Sequence, residues 1–261
     1  MVSAHPDPAP LSPSVARLRS AAGLGRSLAM YYARPWRQAR LARFYAGLLP
    51  AGGLAFDIGA HVGNRTRALR AAGLDVVAVE PQALFHRFLR LTLPRGGVTL
   101  RRLAIGASAG EVTLRVSRRH PTVSSGAPGW PAQVAQDPGF AHVAWDGAQR
   151  VAAVTLDDLI AVHGAPAFCK IDVEGMEAAI LAGLSQPLPL IAVEYLPAAL
   201  DVAAACLDRL STLGRYEINA VRGEAGAFAW DAWLPPAEAR PALRRLAADG
   251  QSGDLYARLM P

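Results

Sequence analysis

Lysine is almost missing from this chain. Of its 27 basic side chains, Lys170 alone is lysine and the rest are arginine. Cysteine is nearly as scarce: Cys169 and Cys206 make no metal-ligand spacing. Cys169 lies inside an apolar run, as a buried reduced thiol would, which points to the cytoplasm. No apolar stretch approaches the ~20 residues of a membrane span. The opening "MVSAHPDPAPLSPS" has prolines where an export signal carries its apolar centre, so export is not expected. The dinucleotide fingerprint G-x-G-x-x-G is also absent.

What remains is a globular composition, 52% hydrophobic and 18% charged over 261 residues. That length holds one sizeable α/β core with extensions. The net charge of +6 and pI near 9.9 do not make nucleic acid an expected partner, because charge without a clustered reader is weak evidence. Arginines do gather between Arg17 and Arg43, among alanine, leucine and aromatics. They suggest a helical arm packed on the domain, with contact to an acidic surface as the lesser reading.

The expected organisation is a disordered tail over 1–13, a helical arginine-rich arm over 14–50 broken near Pro35, and one domain over 51–261. Within the domain, apolar runs alternate with helical stretches, which predicts βαβ units and a mostly parallel sheet. Strands are predicted at Leu54 to Ile58, Val76 to Val79, within Val98 to Ile105, at "AFCKIDV", "LIAVEYL" and Tyr216 to Val221, and at "DLYARLM", the last one antiparallel. "GEVTLRVS" alternates like a hairpin arm. The stretch of about 119–149, with Trp130 and Trp145, lacks a clear period and reads as an elaborated loop shaping the acceptor pocket.

Chemistry gathers at three places. In "LAFDIGAHVGNRTRAL", Gly59 and Gly63 allow a sharp turn into a helix and a close ligand approach. Asp57 before that turn would repel a pyrophosphate and suits a cationic or hydroxyl-rich ligand better. Glu80 closes the next strand roughly twenty residues on, where a carboxylate can accept from both ribose hydroxyls. In "CKIDVEGMEAAIL", strand alternation turns Lys170 and Asp172 to one face. Glu174 and Glu177 follow at i,i+3 spacing, read as one face of a helix start.

These blocks, with "LAIGASAGEVTLRVS", "TLDDLI" and "LIAVEY", resemble the FkbM family of S-adenosylmethionine-dependent methyltransferases from about Leu54 to Val221. The K-I-D-V-E-G-x-E core is the specific element. The resemblance implies a Rossmann-like class I methyltransferase fold, with a seven-stranded mostly parallel sheet and helices on both faces. It further implies O-methylation of a hydroxyl on a sugar, polyketide or similar metabolite, with S-adenosylmethionine as cofactor. Carried over residue by residue, the cofactor pocket would involve Asp57, Gly59, His61, Gly63, Asn64, Glu80, Pro81 and Ser125, the last beside Ser124 in "TVSSG". The family more often has Asn where this chain has His61. Lys170, Asp172 and Glu174 would manage chemistry, and Glu177 and Glu194 would hold the acceptor. A carboxylate, or a lysine with its pKa lowered by burial, can take the hydroxyl proton. His61, His120 and His142 are alternative bases. No ligand spacing demands a metal. The competing readings are a Rossmann-type NAD(P) oxidoreductase and a non-catalytic Rossmann module on an acidic polymer or membrane.

Overall fold

The computed structural model describes residues 12–135, 137 and 140–261. Of the expected tail, residues 1–11 lie outside the described residues, while Ser12 caps and Pro13 opens the first helix. The arm is two helices, α1 (Pro13–Tyr32) and α2 (Pro35–Leu48), each opening on a proline. Proline fits there because its fixed φ is already helical and its missing N–H has no partner to lose.

After the arm come β1 (Leu54–Ile58), α3 (Asn64–Ala71), β2 (Asp75–Val79), α4 (Ala83–Thr92), β3 (Val98–Arg101) and β4 (Ala104–Ile105). Next are β5 (Gly110–Val116), α5 (Trp130–Val134), β6 (Gly147–Val154), α6 (Leu156–His163), β7 (Phe168–Ile171) and α7 (Glu177–Ala182). The chain ends with β8 (Leu190–Tyr195), α8 (Leu200–Leu213), β9 (Tyr216–Arg222), α9 (Pro236–Leu246) and β10 (Gly253–Leu259).

Seven strands form one sheet in the order β3-β2-β1-β7-β8-β10-β9. β10 runs antiparallel to both neighbours, and the other paired strands are parallel. Strand alternation divides the core between the two faces. Phe56, Ile58, Cys169, Ile171, Ile191 and Val193 pack against α6, α7 and α8. Ala55, Phe168, Ala192 and Tyr256 face α2 and α3, where Tyr45 and Leu69 fill the layer. Strand order reverses at β1, between β2 and β7, which opens a crevice at the carboxyl edge.

The run Val98 to Ile105 holds the expected strand as β3, which ends at Arg101, and also β4, which joins a second sheet of order β4-β6-β5. Two sequence readings need correction. The partner β6 begins inside the supposed loop of 119–149 and is antiparallel to β5. That pairing joins segments far apart in sequence, so local periodicity does not reveal it. Finally, α7 starts at Glu177, because Glu174 and Gly175 take left-handed backbone at φ 54° and 92°. Glu174 therefore belongs to a turn, and Glu174 and Glu177 do not share a helix face.

Candidate active site

The turn after β1 is built by its backbone. Gly59 sits at φ 88°, and a Cβ there would lie 1.9 Å from the Asp172 carbonyl oxygen, so only glycine lets β1 and β7 close together. His61 is itself left-handed at φ 48°, a region that histidine and asparagine enter more readily than most residues. Its amide donates to Glu80 Oε2 at 2.8 Å, and the Gln82 amide donates to Glu80 Oε1 at 2.7 Å. Glu80 thus spans the tips of β1 and β2. Burial pushes its carboxyl up to about 7 against the pull of those two amides. Asp57 is also buried and raised by that burial, with the Thr66 hydroxyl donating to its Oδ2. Burial brings His61 down to about 4, leaving a neutral imidazole whose Nε2 lies 3.1 Å from Ser27 Oγ of α1.

Four adjacent strands turn polar residues to one face of the same edge. Register sets Asp57 beside Lys170 and Asp254 beside Glu194, and alternation aligns Lys170 with Asp172. Lys170 Nζ lies 3.2 Å from Asp172 Oδ2, 2.9 Å from Asp254 Oδ1 and 3.1 Å from the Ile171 carbonyl oxygen. Arg65, from the first turn of α3, closes a ring: it is 2.9 Å from Asp254 and 3.7 Å from Asp172, with Glu224 at 3.4 Å. Two cations and two carboxylates therefore alternate beneath the crevice.

That ring decides the protonation states. Burial alone would lower the Lys170 pKa, but Asp172 and Asp254 outweigh it and raise it. The lysine with a lowered pKa is thus corrected: its ammonium is held charged between two carboxylates, with no solvent exposure. Burial would likewise raise Asp172, yet Lys170 and Arg65 hold it below the ordinary range. Glu174 and Glu194 go the opposite way. Burial first, then the Asp172 charge, lifts both well above the ordinary carboxylate range. Each keeps one buried carboxyl oxygen, Oε2, with no hydrogen-bond partner.

A cavity of about 360 Å³ opens over this edge. Of the residues expected at the site, Asp57, Gly59, His61, Asn64, Glu80, Pro81, Asp172, Glu174 and Glu194 line it. Gly63, Ser125, Lys170 and Glu177 do not. Gly63 ends the turn at φ 78° and caps α3. Ser125 donates to the Glu174 carbonyl oxygen at 2.6 Å, while its neighbour Ser124 forms the wall. The Glu177 carboxylate accepts from the Val173 and Gly175 amides and so braces the turn that carries Glu174. The tryptophans of the 119–149 segment are also displaced. Trp130 is buried against Val134 and Ala199, and Trp145 donates to the Val123 carbonyl oxygen; neither lines the cavity. His120 and His142 face each other, ring centroids 4.7 Å apart, outside the cavity wall.

Sequence reasoning missed Arg65, which helps Lys170 keep Asp172 ionised, Asp254, which pairs with both cations, and Met30 and Tyr31 of α1, which form part of the wall. Arg65 follows the glycine turn directly, a usable signal lost among so many arginines. Among the described residues no group of three or more His, Cys, Asp or Glu is arranged to hold a metal ion.

A doubly wound sheet with a glycine turn, acidic strand tips and a cavity at its switch point defines a Rossmann-like nucleoside-binding protein. The chain belongs to the FkbM methyltransferase family, whose Methyltransferase FkbM domain matches residues 57–227. The fold is accordingly the class I methyltransferase fold, and the oxidoreductase reading falls. No curated protein matches the chain. Among solved structures it is similar to an O-methyltransferase from Bacillus cereus in complex with SAH, at 13% identity, covering 96% of this chain and 92% of that one, with TM-score 0.49. It is also similar to a precorrin-6y C5,15-methyltransferase from Geobacter metallireducens, at 15% identity, 86% coverage of both chains and TM-score 0.45.

Proposed function

We propose that this methyltransferase uses S-adenosylmethionine to methylate a hydroxyl oxygen on a small polyhydroxylated acceptor of the sugar or polyketide kind. The observation that carries the reading is the pair of orphaned carboxyl oxygens, Glu174 Oε2 and Glu194 Oε2, buried beside the ionised Asp172. A buried polar atom without a partner costs roughly 1–3 kcal/mol, and acceptor hydroxyls donating to it would recover that cost.

The cofactor fits the residues present. The cavity is of ligand size, and its walls carry Asp57, Glu80 and Asp172, a set that favours positive charge and hydroxyl donors over phosphate. Glu80 would hold the ribose diol, and the turn from Gly59 to Asn64 would follow the methionine end. When bound, S-adenosylmethionine supplies an electrophilic methyl group on a positively charged sulfur.

This chain's residues do the rest. Glu174 and Glu194 orient the acceptor, a positioning effect that can be worth several kcal/mol. Asp172, with 30% of its side chain open to the cavity, is the ionised carboxylate within that group and takes the hydroxyl proton. Its low pKa makes it a mild base, and it stands beside Glu194, whose own carboxyl burial keeps protonated. Lys170 and Arg65 keep Asp172 charged and fixed, so they position the base without touching the acceptor.

The test is methyl uptake from labelled S-adenosylmethionine across a panel of hydroxylated acceptors, with the product's methyl position assigned. Asp172→Asn should keep S-adenosylhomocysteine affinity and lose about 10²–10⁴-fold in turnover. A methyl group found on carbon or nitrogen would overturn the O-transfer reading. Undiminished turnover in Asp172→Asn would remove its role as base.

A further inference from the structure

The arm has a second face that the site does not use. From Ser12 to Phe56 the chain holds seven arginines and not one Asp or Glu. Arg19 pairs with Asp146 at 2.9 Å, and Arg40 donates to the Glu224 carbonyl oxygen. Arg17, Arg26, Arg34 and Arg43 are exposed and hold no carboxylate among the described residues. Beside them stand bare apolar side chains: Val15, Leu18 and Trp36 are 41%, 72% and 65% exposed. The other exposed large hydrophobics among the described residues are Met30, which belongs to the cavity wall, and Leu91 and Val162.

The pattern along α1 is ordered. Gly23 and Ser27 face the body, and a Cβ at Gly23 would strike the Arg118 carbonyl oxygen. Val15, Leu18, Ala22 and Ala29 recur at spacings of three, four and seven, which places them together on the side away from the body. An exposed stripe of this kind, flanked by arginine, gains nothing from water.

We propose that the outer face of the α1–α2 arm docks on an anionic lipid bilayer. The stripe would enter the headgroup–acyl boundary, Trp36 would anchor there, and the arginines would extend to lipid phosphates. Charge complementarity and the aliphatic residues together select this occupant. A phosphate backbone would satisfy the arginines but offers Val15 and Leu18 no apolar partner. A second copy of the arm would set arginine against arginine. Docking this face would bring the cavity wall formed by Met30 and Arg37 near the membrane plane. The proposal does not depend on the acceptor or on the methyl position.

The experiment is co-sedimentation of the full chain with phosphatidylcholine vesicles, with and without roughly 30% phosphatidylserine. Binding is expected only to the anionic vesicles and should fall as salt rises. The exposed pair Leu18→Ser and Trp36→Ser, outside the cavity wall, should cut partitioning at least about tenfold while leaving S-adenosylhomocysteine affinity unchanged. Three results overturn the proposal: no preference for anionic vesicles; tighter binding to duplex DNA that ignores the double substitution; or a lipid-free dimer that the double substitution dissolves.

Discussion

The arm's outer face and the crevice hold opposite charge in opposite ways. On the arm, Arg17, Arg26, Arg34 and Arg43 stand in water without carboxylate partners among the described residues, next to apolar side chains that are also bare. In the crevice, Lys170 and Arg65 are buried and each meets two or more carboxylates. Charge on the arm costs little because solvent screens it, so it can be offered to a partner. Charge beneath the crevice is already committed, and its use is to fix which carboxylates are ionised. The largest test of the difference is therefore energetic. Lys170→Met would leave Asp254, only 3% exposed, and Asp172 to share Arg65 as their one remaining cation in the ring. The expected loss is about 3–5 kcal/mol in urea unfolding, as for other broken buried pairs. Arg34→Met on the arm should change stability by less than about 0.5 kcal/mol. Equal losses would erase the distinction between the two regions.

A second test uses pH. Glu80 holds its proton up to about 7, against an ordinary 4.5, because burial penalises its charge. In that window the folded chain keeps a proton that the unfolded chain has released, so stability should fall as pH rises from about 4.5 to about 7. Glu177, also raised by burial to about 7, adds to the same slope. Nucleoside binding should move the other way. Ribose hydroxyls donate best to ionised Glu80, so S-adenosylhomocysteine affinity should climb between roughly pH 6 and 8, by less than tenfold per unit. Titration calorimetry on Glu80→Gln should give an S-adenosylhomocysteine affinity that is flat over that range, while the part of the stability slope due to Glu177 remains. His61 is not a rival source of the slope, since its imidazole stays neutral down to about 4. An affinity slope that survives in Glu80→Gln would take the ribose role away from this residue.

The sheet was legible because buried parallel strands write continuous apolar runs such as "LAFDI" and "LIAVEY", each followed by a helix. The acidic strand tips were legible for the same reason: Asp57, Glu80 and Glu194 are polar residues that interrupt or close such runs. What local pattern could not carry was pairing between distant segments. β4 joins β6 across the whole 119–149 stretch, and Asp254 reaches Lys170 only because β10 inserts next to β8. Glu174 and Glu177 look like one helix face until the left-handed Glu174 shows the turn. Lys170 illustrates both sides. Its spacing to Asp172 was readable, but the sign of its pKa shift depended on Asp254, which enters from a strand more than eighty residues away.

The smallest expected effect lies where the two regions meet. Ser27 on α1 and His61 in the glycine turn are joined by one hydrogen bond of 3.1 Å. His61 also rests on Phe85, with ring centroids 4.2 Å apart. Ser27→Ala removes the bond but keeps the packing, since Ser27 is buried and alanine fills nearly the same space. The loss should be about 1 kcal/mol, roughly fivefold in the constant for local opening. It should fall on α1 alone, because the sheet does not use this bond. Amide exchange across α1 should quicken by that factor while the unfolding midpoint of the domain stays put. Unchanged exchange would assign the joint instead to Tyr32, whose hydroxyl donates to the Val62 carbonyl oxygen at 2.9 Å and accepts from Arg67 at 2.7 Å.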